Sequence, residues 1–214
     1  MSNTPDRSAV LLVPKPPLLW PSVLTPENEI DSIKNLHAHL TSLTSSVEAW
    51  EAALLLFQTA QNTSIPPSRA VANRWRFLAC NECVLELYHF QFRLEKIQSV
   101  QVNKCPSLLA CIDHGKLRAA RSRLATYFPY VKELRNAIAH AGQNDAHPEK
   151  HAPDGAYALS GIRDQNKFSV PYKGTLYSLD ISFQSLREIA ETAAQYFSSF
   201  VSVAAELERQ GHRE

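Results

Sequence analysis

Arg135 and His140 stand five positions apart in the segment 132–142, Lys-Glu-Leu-Arg-Asn-Ala-Ile-Ala-His-Ala-Gly, at the end of an otherwise apolar stretch. A fixed positive charge beside a group that titrates near neutral pH is the minimum equipment for handling a phosphodiester. At about 100° per residue a helix puts Asn136 and His140 on one face and projects Arg135 from its flank. Gly142 reads as the helix stop. His140 is then expected in the last turn, where the macrodipole favours the imidazolium and raises its pKa, as suits a general acid. The same residues also read plainly: Arg135 as a surface side chain pairing with Glu133 or a carbonyl, His140 as a C-terminal capping histidine.

The cations nearest this segment are Lys116, Arg118, Arg121, Arg123 and Lys132, with Glu133 the only acid between His114 and Arg135. The whole chain carries a formal charge of only +1, so it does not bind polyanions by bulk electrostatics, and any such site must be this local patch. The alternative is a solvated helix face that happens to be basic. Four cysteines, Cys80, Cys83, Cys105 and Cys111, do not make a disulfide framework. Cys80 and Cys83 have the spacing of half a zinc site, but inside a helical pattern i and i+3 merely share a face, so core packing is the expectation. His140, His147 and His151 lack a second dense ligand group, and neither a metal nor another cofactor is expected. No signal peptide is apparent and no apolar run approaches the ~18–20 residues that cross a bilayer, so the chain is expected to be cytoplasmic, with no membrane partner.

A chain of 214 residues suits one domain with decorations. Residues 1–25 hold five prolines, with Pro26 just beyond, and predict an extended arm whose Leu11, Leu12, Leu18, Leu19 and Trp20 pack along the body or on a partner chain. Thr25 and Pro26 are expected to open a helix to about Gln61. Its Ile33, Leu36, Leu40, Leu43, Val47, Trp50, Leu54 and Phe57 recur at alternating spacings of three and four, a seam that calls for an antiparallel neighbour. That neighbour is expected from about Ser68 to Val100, apolar on more than one side. Glu82 and His89 interrupt one of its stripes, Val71, Trp75, Leu78, Glu82, Leu85, His89, Phe92. A buried carboxylate there would need a basic partner such as Arg135, giving Glu82 and His89 a supporting role behind the motif; otherwise both open onto solvent.

Pro106 to Phe128 reads as one broken helix or two short ones interrupted near Gly115, and Pro129 as the first residue of the motif helix. After a polar loop from Gln143 to Gly155, period-2 patterning at 167–170 and 175–181 around 171–174 predicts a small β-hairpin within about 156–181. Ser182 is expected to cap a single closing helix, leaving 211–214 as a tail. The expected class is all-α: an up-and-down bundle of two long antiparallel helices, a short motif helix, an inserted hairpin and a C-terminal helix.

Arg-Asn-x-x-x-His at a helix end, with a polar residue directly after the arginine, resembles the Arg-x(4–6)-His signature of the HEPN superfamily, all-helical domains many of which are metal-independent ribonucleases. The order of elements resembles that superfamily across most of 26–210, the arm excepted. The resemblance implies a homodimer whose two motif helices share one cleft. In it His140 acts as base or acid, Arg135 stabilises the phosphate and Asn136 orients His140 or the substrate, while Arg118, Arg121, Arg123 and Lys132 guide the strand. Products would be a 2′,3′-cyclic phosphate and a 5′-OH, with a place in stress or phage defence, as toxin or otherwise, and with a protein inhibitor or partner compatible with it. The chain departs from the toxins paired with a nucleotidyltransferase, which carry a tyrosine two residues after the histidine, where Gly142 stands here. The main rival is a non-catalytic HEPN-like module that dimerises or holds a partner or nucleotide.

Overall fold

The computed structural model describes residues 13–62, 69–140 and 160–211. Every apolar residue of the seam predicted from Ile33 to Phe57 is fully buried. They lie on α1 (Ile30–Asn62), which packs along α2 (Arg69–Lys96) more extensively than any other pair of elements. Contacts join Phe57 to Arg76, Ser46 to Glu86, Ser42 to Arg93 and His39 to Gln101, positions falling on one helix as they rise on the other, so the two run antiparallel. Burial of each large side chain on this seam contributes about 1.5–3 kcal/mol, which makes the α1–α2 pair the frame for the rest.

The entry to α1 differs from expectation. Thr25 does not cap it; its hydroxyl accepts from the Ser22 amide at 2.9 Å, and a 3₁₀ turn at Glu27–Glu29 leads into Ile30. Buried Glu29 accepts from the Ser107 hydroxyl at 2.6 Å and from its amide at 3.2 Å, tying this start to the 3₁₀ turn Pro106–Cys111. Of the arm's apolar residues, Leu19 enters the core, whereas Leu18 and Trp20 are 65% and 64% exposed; Leu11 and Leu12 lie outside the described residues. Thr44 donates to the Pro14 carbonyl at 2.9 Å and fixes the arm along α1. Cys80 and Cys83 face the core as expected, and burial pushes the Cys80 thiol up to about 12 and Cys83 higher still. Neither is a thiolate nucleophile at neutral pH.

α2 passes through a π turn at Ile97–Gln101. The break expected near Gly115 falls at Ile112 and Asp113 instead, because Asp113 is the stronger cap: its carboxylate accepts from the Lys116 amide at 3.0 Å and opens α3 (His114–Tyr127). The motif helix, α4, spans Val131–Ala139, two residues later than Pro129 predicts; Pro129 and Tyr130 form the turn before it.

The predicted hairpin is part of a three-stranded antiparallel sheet, β1 (Gly161–Arg163), β2 (Lys167–Tyr172) and β3 (Thr175–Asp180), in that order. The turn is tighter than expected: Tyr172 pairs with Thr175 across Lys173 and Gly174, both at positive φ (49° and 75°), as a two-residue hairpin turn requires. Pro171 is therefore inside β2. It is tolerated because β1 pairs only with 167–169, leaving β2 an edge at Pro171.

The closing helix is two helices. Ser182 accepts from the Ser185 amide at 3.3 Å and caps α5 (Phe183–Phe197), and a 3₁₀ turn at Ser198–Phe200 separates it from α6 (Val201–Gly211). At that turn the Ser199 carbonyl accepts from the Asp113 amide at 3.1 Å, an interhelical bond that accompanies the interruption. The architecture is thus mostly helical with one small sheet. No described helix is long and apolar enough to cross a membrane.

Candidate active site

α4 is strongly two-faced. Val131, Leu134 and Ala137 are buried against α2, β2 and β3, and Tyr130 packs edge-on against Tyr177 with centroids 5.4 Å apart. The small sheet thus holds α4 against α2. Lys132, Arg135 and Asn136 lie outside that buried face, and His140 follows as the C-cap, exposed, its backbone N–H bonded to the carbonyls of Asn136 and Ile138. His140 therefore stands one residue beyond the last turn in which the sequence places it. Gly142, His147 and His151 lie outside the described residues.

Arg135 is half-buried and doubly held. Its guanidinium lies over the Tyr88 ring, 5.3 Å from the centroid, and donates to Asn136 Oδ1 at 3.2 Å. Cation–π contact with the planar guanidinium fixes it in orientation as well as in position. Tyr88 stacks on Phe92 at 6.5 Å with an 18° interplanar angle, and Lys96 Nζ lies 5.8 Å from the Phe92 centroid. The result is a strip along α2, Arg135, Tyr88, Phe92, Lys96, in which two stacked rings carry a cation at each end. Phe92 is 47% exposed. A stacked pair of rings, one half-buried and one exposed, flanked by cations suits the bases and phosphates of a single strand.

This strip was not foreseen from sequence. Its signal is the i, i+4, i+8 spacing of Tyr88, Phe92 and Lys96, which is legible only once α4 is known to lie beside that face. The pairing expected for Glu82 and His89 is not what forms. Glu82 is exposed, His89 Nδ1 lies 3.4 Å from Glu86 Oε1, and Arg135 contacts Asn136 and Tyr88 instead. The stripe bearing both faces solvent, so the Glu82 carboxylate requires no basic partner.

The expected strand-guiding cations divide. Lys132 lies 3.8 Å from Glu95 and lines a cavity of about 160 Å³ with Tyr88, Phe92 and Gln91. Arg118 and Arg121 line an adjacent cavity of about 320 Å³ between α2 and α3, bounded also by Gln91, Glu95 and Phe128. Gln91 and Glu95 border both, and Tyr88, which lines the smaller, is the ring beneath Arg135. Arg123 has a different occupation: it donates to Glu188 on α5 at 2.7 and 3.2 Å and to Glu191. Burial alone would raise the Glu188 carboxyl; hydrogen bonds from Arg123 and Tyr127, with the Arg123 charge, outweigh it and hold the group below the usual carboxylate range. Arg123 thus clamps α3 to α5 and is not available to a strand.

No group of three or more His, Cys, Asp or Glu side chains among the described residues is arranged to hold a metal ion. One chain thus offers an arginine and an amide on a short helix and a histidine at its C-cap, near a cavity lined by Arg118, which makes no ion pair among the described residues, and by Arg121, which donates to Gln98 at 2.8 Å. No protein-family model matches the chain, and neither the sequences of curated proteins nor the solved structures yield a match.

Proposed function

We propose that the protein is a metal-independent endoribonuclease of HEPN type, with a HEPN-like up-and-down bundle over 26–210 and a composite active site at a two-fold dimer axis. The observation that carries this is the seating of Arg135 on Tyr88, at the end of an aromatic and cationic strip that suits single-stranded RNA. Cleavage without metal needs a base for the 2′-OH proton, an acid for the leaving 5′-oxygen and fixed positive charge at the pentacovalent phosphate. His140 from each of two protomers supplies the base and the acid. Arg135 supplies the charge, already oriented by the ring beneath it. Asn136 holds the guanidinium through Oδ1, a positioning role in place of direct contact with His140. Arg118, Arg121 and Lys132 guide the strand.

The dimer this requires has an apolar surface available on α2, where Val71 and Leu78 are exposed along one stripe, which half-buried Trp75 and Leu85 continue. A second reading, a non-catalytic module that holds a protein partner, is favoured by exposed Leu18, Trp20, Val23 and Leu24 at the arm.

The deciding experiment incubates wild type, His140→Ala and Arg135→Ala with mixed cellular RNA in excess EDTA and maps the fragment ends. The expected result is cleavage leaving 2′,3′-cyclic phosphates, reduced about 10²–10⁴-fold in both variants. RNA left equally intact by all three folded proteins would sink the nuclease and leave the partner-binding module.

A further inference from the structure

The end of the α1–α2 pair that carries Lys96 is poor in acids. α1 has no Asp or Glu between Asp31 and Glu48, and the chain from Lys96 to Ile112 has none either. The acids that border this end have other partners. Asp31 lies 3.9 Å from Lys34, buried Glu29 bonds to Ser107, Glu86 is shared among Ser46, His89 and Arg93, and Glu95 lies 3.8 Å from Lys132. Lys96 and Lys104 are both exposed, and neither makes an ion pair among the described residues.

The cations gather round His39. Its Nε2 lies 3.1 Å from Gln101 Nε2, which ties α1 to the π turn, and that turn leads into a 3₁₀ turn at Val102–Lys104. Burial holds the His39 imidazole below its ordinary pKa; the charges of Arg93, Lys104 and Lys96 push the same way, and no carboxylate opposes them. Arg93 is committed to the Ser42 carbonyl at 3.1 Å and to Ser46, so Lys96 and Lys104 are the charges presented outward. Like charges gathered about a neutral ring repel one another, and a polyanion laid across them removes that cost.

Lys96 also ends the ring strip, with Phe92 exposed beside it and Arg135 over Tyr88 at the other end. From Tyr88 to Lys96 the helix rises about 12 Å. An exposed ring set into a row of cations can stack a base only if that base is free of its own helix, because a duplex keeps its base faces stacked inside. We propose that the end of α2 is a phosphate anchor outside the cleavage site: Lys96 and Lys104 take the phosphates beyond a base stacked on Phe92, so the substrate must be unpaired on that side of the cut. The inference rests on the ribonuclease reading for the identity of the polyanion.

The test measures fluorescence anisotropy of the full chain with a labelled single strand of about 12 nucleotides, 2′-O-methylated so that no 2′-OH is available for cleavage, and with the duplex of the same sequence. The single strand is expected to bind more tightly than the duplex. Lys96→Ala and Lys104→Ala should each reduce the slope of log affinity against log salt by about 0.7, the share of one phosphate of a single strand. Phe92→Ala should weaken the single strand about ten-fold with the slope kept, and Phe92→Tyr should recover it. No binding, a duplex bound as tightly as the strand, slopes unchanged in both lysine variants, or undiminished affinity in Phe92→Ala would each overturn the anchor, with thermal melts confirming that the variants fold. Binding that needs these residues in a protein that leaves cellular RNA intact would keep the anchor and remove the nuclease; cleavage indifferent to all three alanine substitutions would do the reverse.

Discussion

Arg135 and Arg123 are the same residue type twelve positions apart, and packing gives them opposite work. Arg135 rests on a ring and one amide oxygen, so its charge is not neutralised by an acid; Arg123 is spent on two carboxylates. Arg135→Lys keeps the charge but loses the planar seat on Tyr88, and cleavage is expected to fall by roughly ten-fold, between wild type and Arg135→Ala in the same end-mapping assay. Arg123→Ala is expected to leave the Glu188 carboxylate buried without its main partner, at a cost of roughly 3 kcal/mol in denaturant melts. Glu188 is held below its ordinary pKa by that partnership, so its stabilising contribution is present above the unfolded carboxylate pKa and lost as pH falls through the lower folded value. Glu188→Gln should therefore flatten the acid limb of stability against pH. An unchanged acid limb would mean that Glu188 is not the group that titrates there.

Elements matter here through the way each is held against the next. α4, with nine residues, is too short to persist alone and depends on the sheet and α2 for its position. The β2–β3 turn is the part of that support most exposed to a single change. Gly174 has φ of +75° with open space around it, so Gly174→Ala is strained by backbone conformation and not by collision. A loss of about 1 kcal/mol, seen as a fall of roughly 2–4 °C in Tm, is expected. On α2 the exposed stripe makes a second prediction. Leu78 is 53% exposed, so Leu78→Asp costs the folded chain little, yet it should convert a dimer to a monomer by sedimentation and abolish cleavage. A monomeric wild type would remove the composite site altogether.

At the level of the whole molecule, one chain presents a single motif histidine, so the proposed cleavage draws its two proton transfers from two chains. Mixing then becomes diagnostic. Equal amounts of wild type and His140→Ala, allowed to exchange subunits, should retain roughly a quarter of the activity of an all-wild-type dimer pool of the same total chain concentration, because only wild-type pairs keep both histidines. Retention of half would mean that each chain acts alone. On the proposed reading the near-zero net charge leaves RNA binding to local cations, so affinity should fall with added salt by a slope reporting few phosphates, those near Arg118, Arg121, Lys132 and Arg135.

Periodicity alone was enough to determine the α1 seam, the core-facing Cys80 and Cys83, the hairpin strands and a helix bearing Arg135 and Asn136, though not that His140 falls just past its end, because spacing along a chain reports which side chains share a face. Asp113 outranking Gly115 as a helix boundary, and the two-residue turn at Lys173 and Gly174, lie at the limit of that information: boundaries depend on which local hydrogen bonds win. Partnership across elements was beyond it. Glu82 pointing to solvent, Arg123 reaching Glu188, Arg135 choosing Tyr88, and Gln91 with Glu95 meeting Arg118 and Arg121 were decided only by tertiary packing. Each joins residues far apart in sequence, whose meeting is set by how α2, α3, α4 and α5 dock and not by any pattern within one of them.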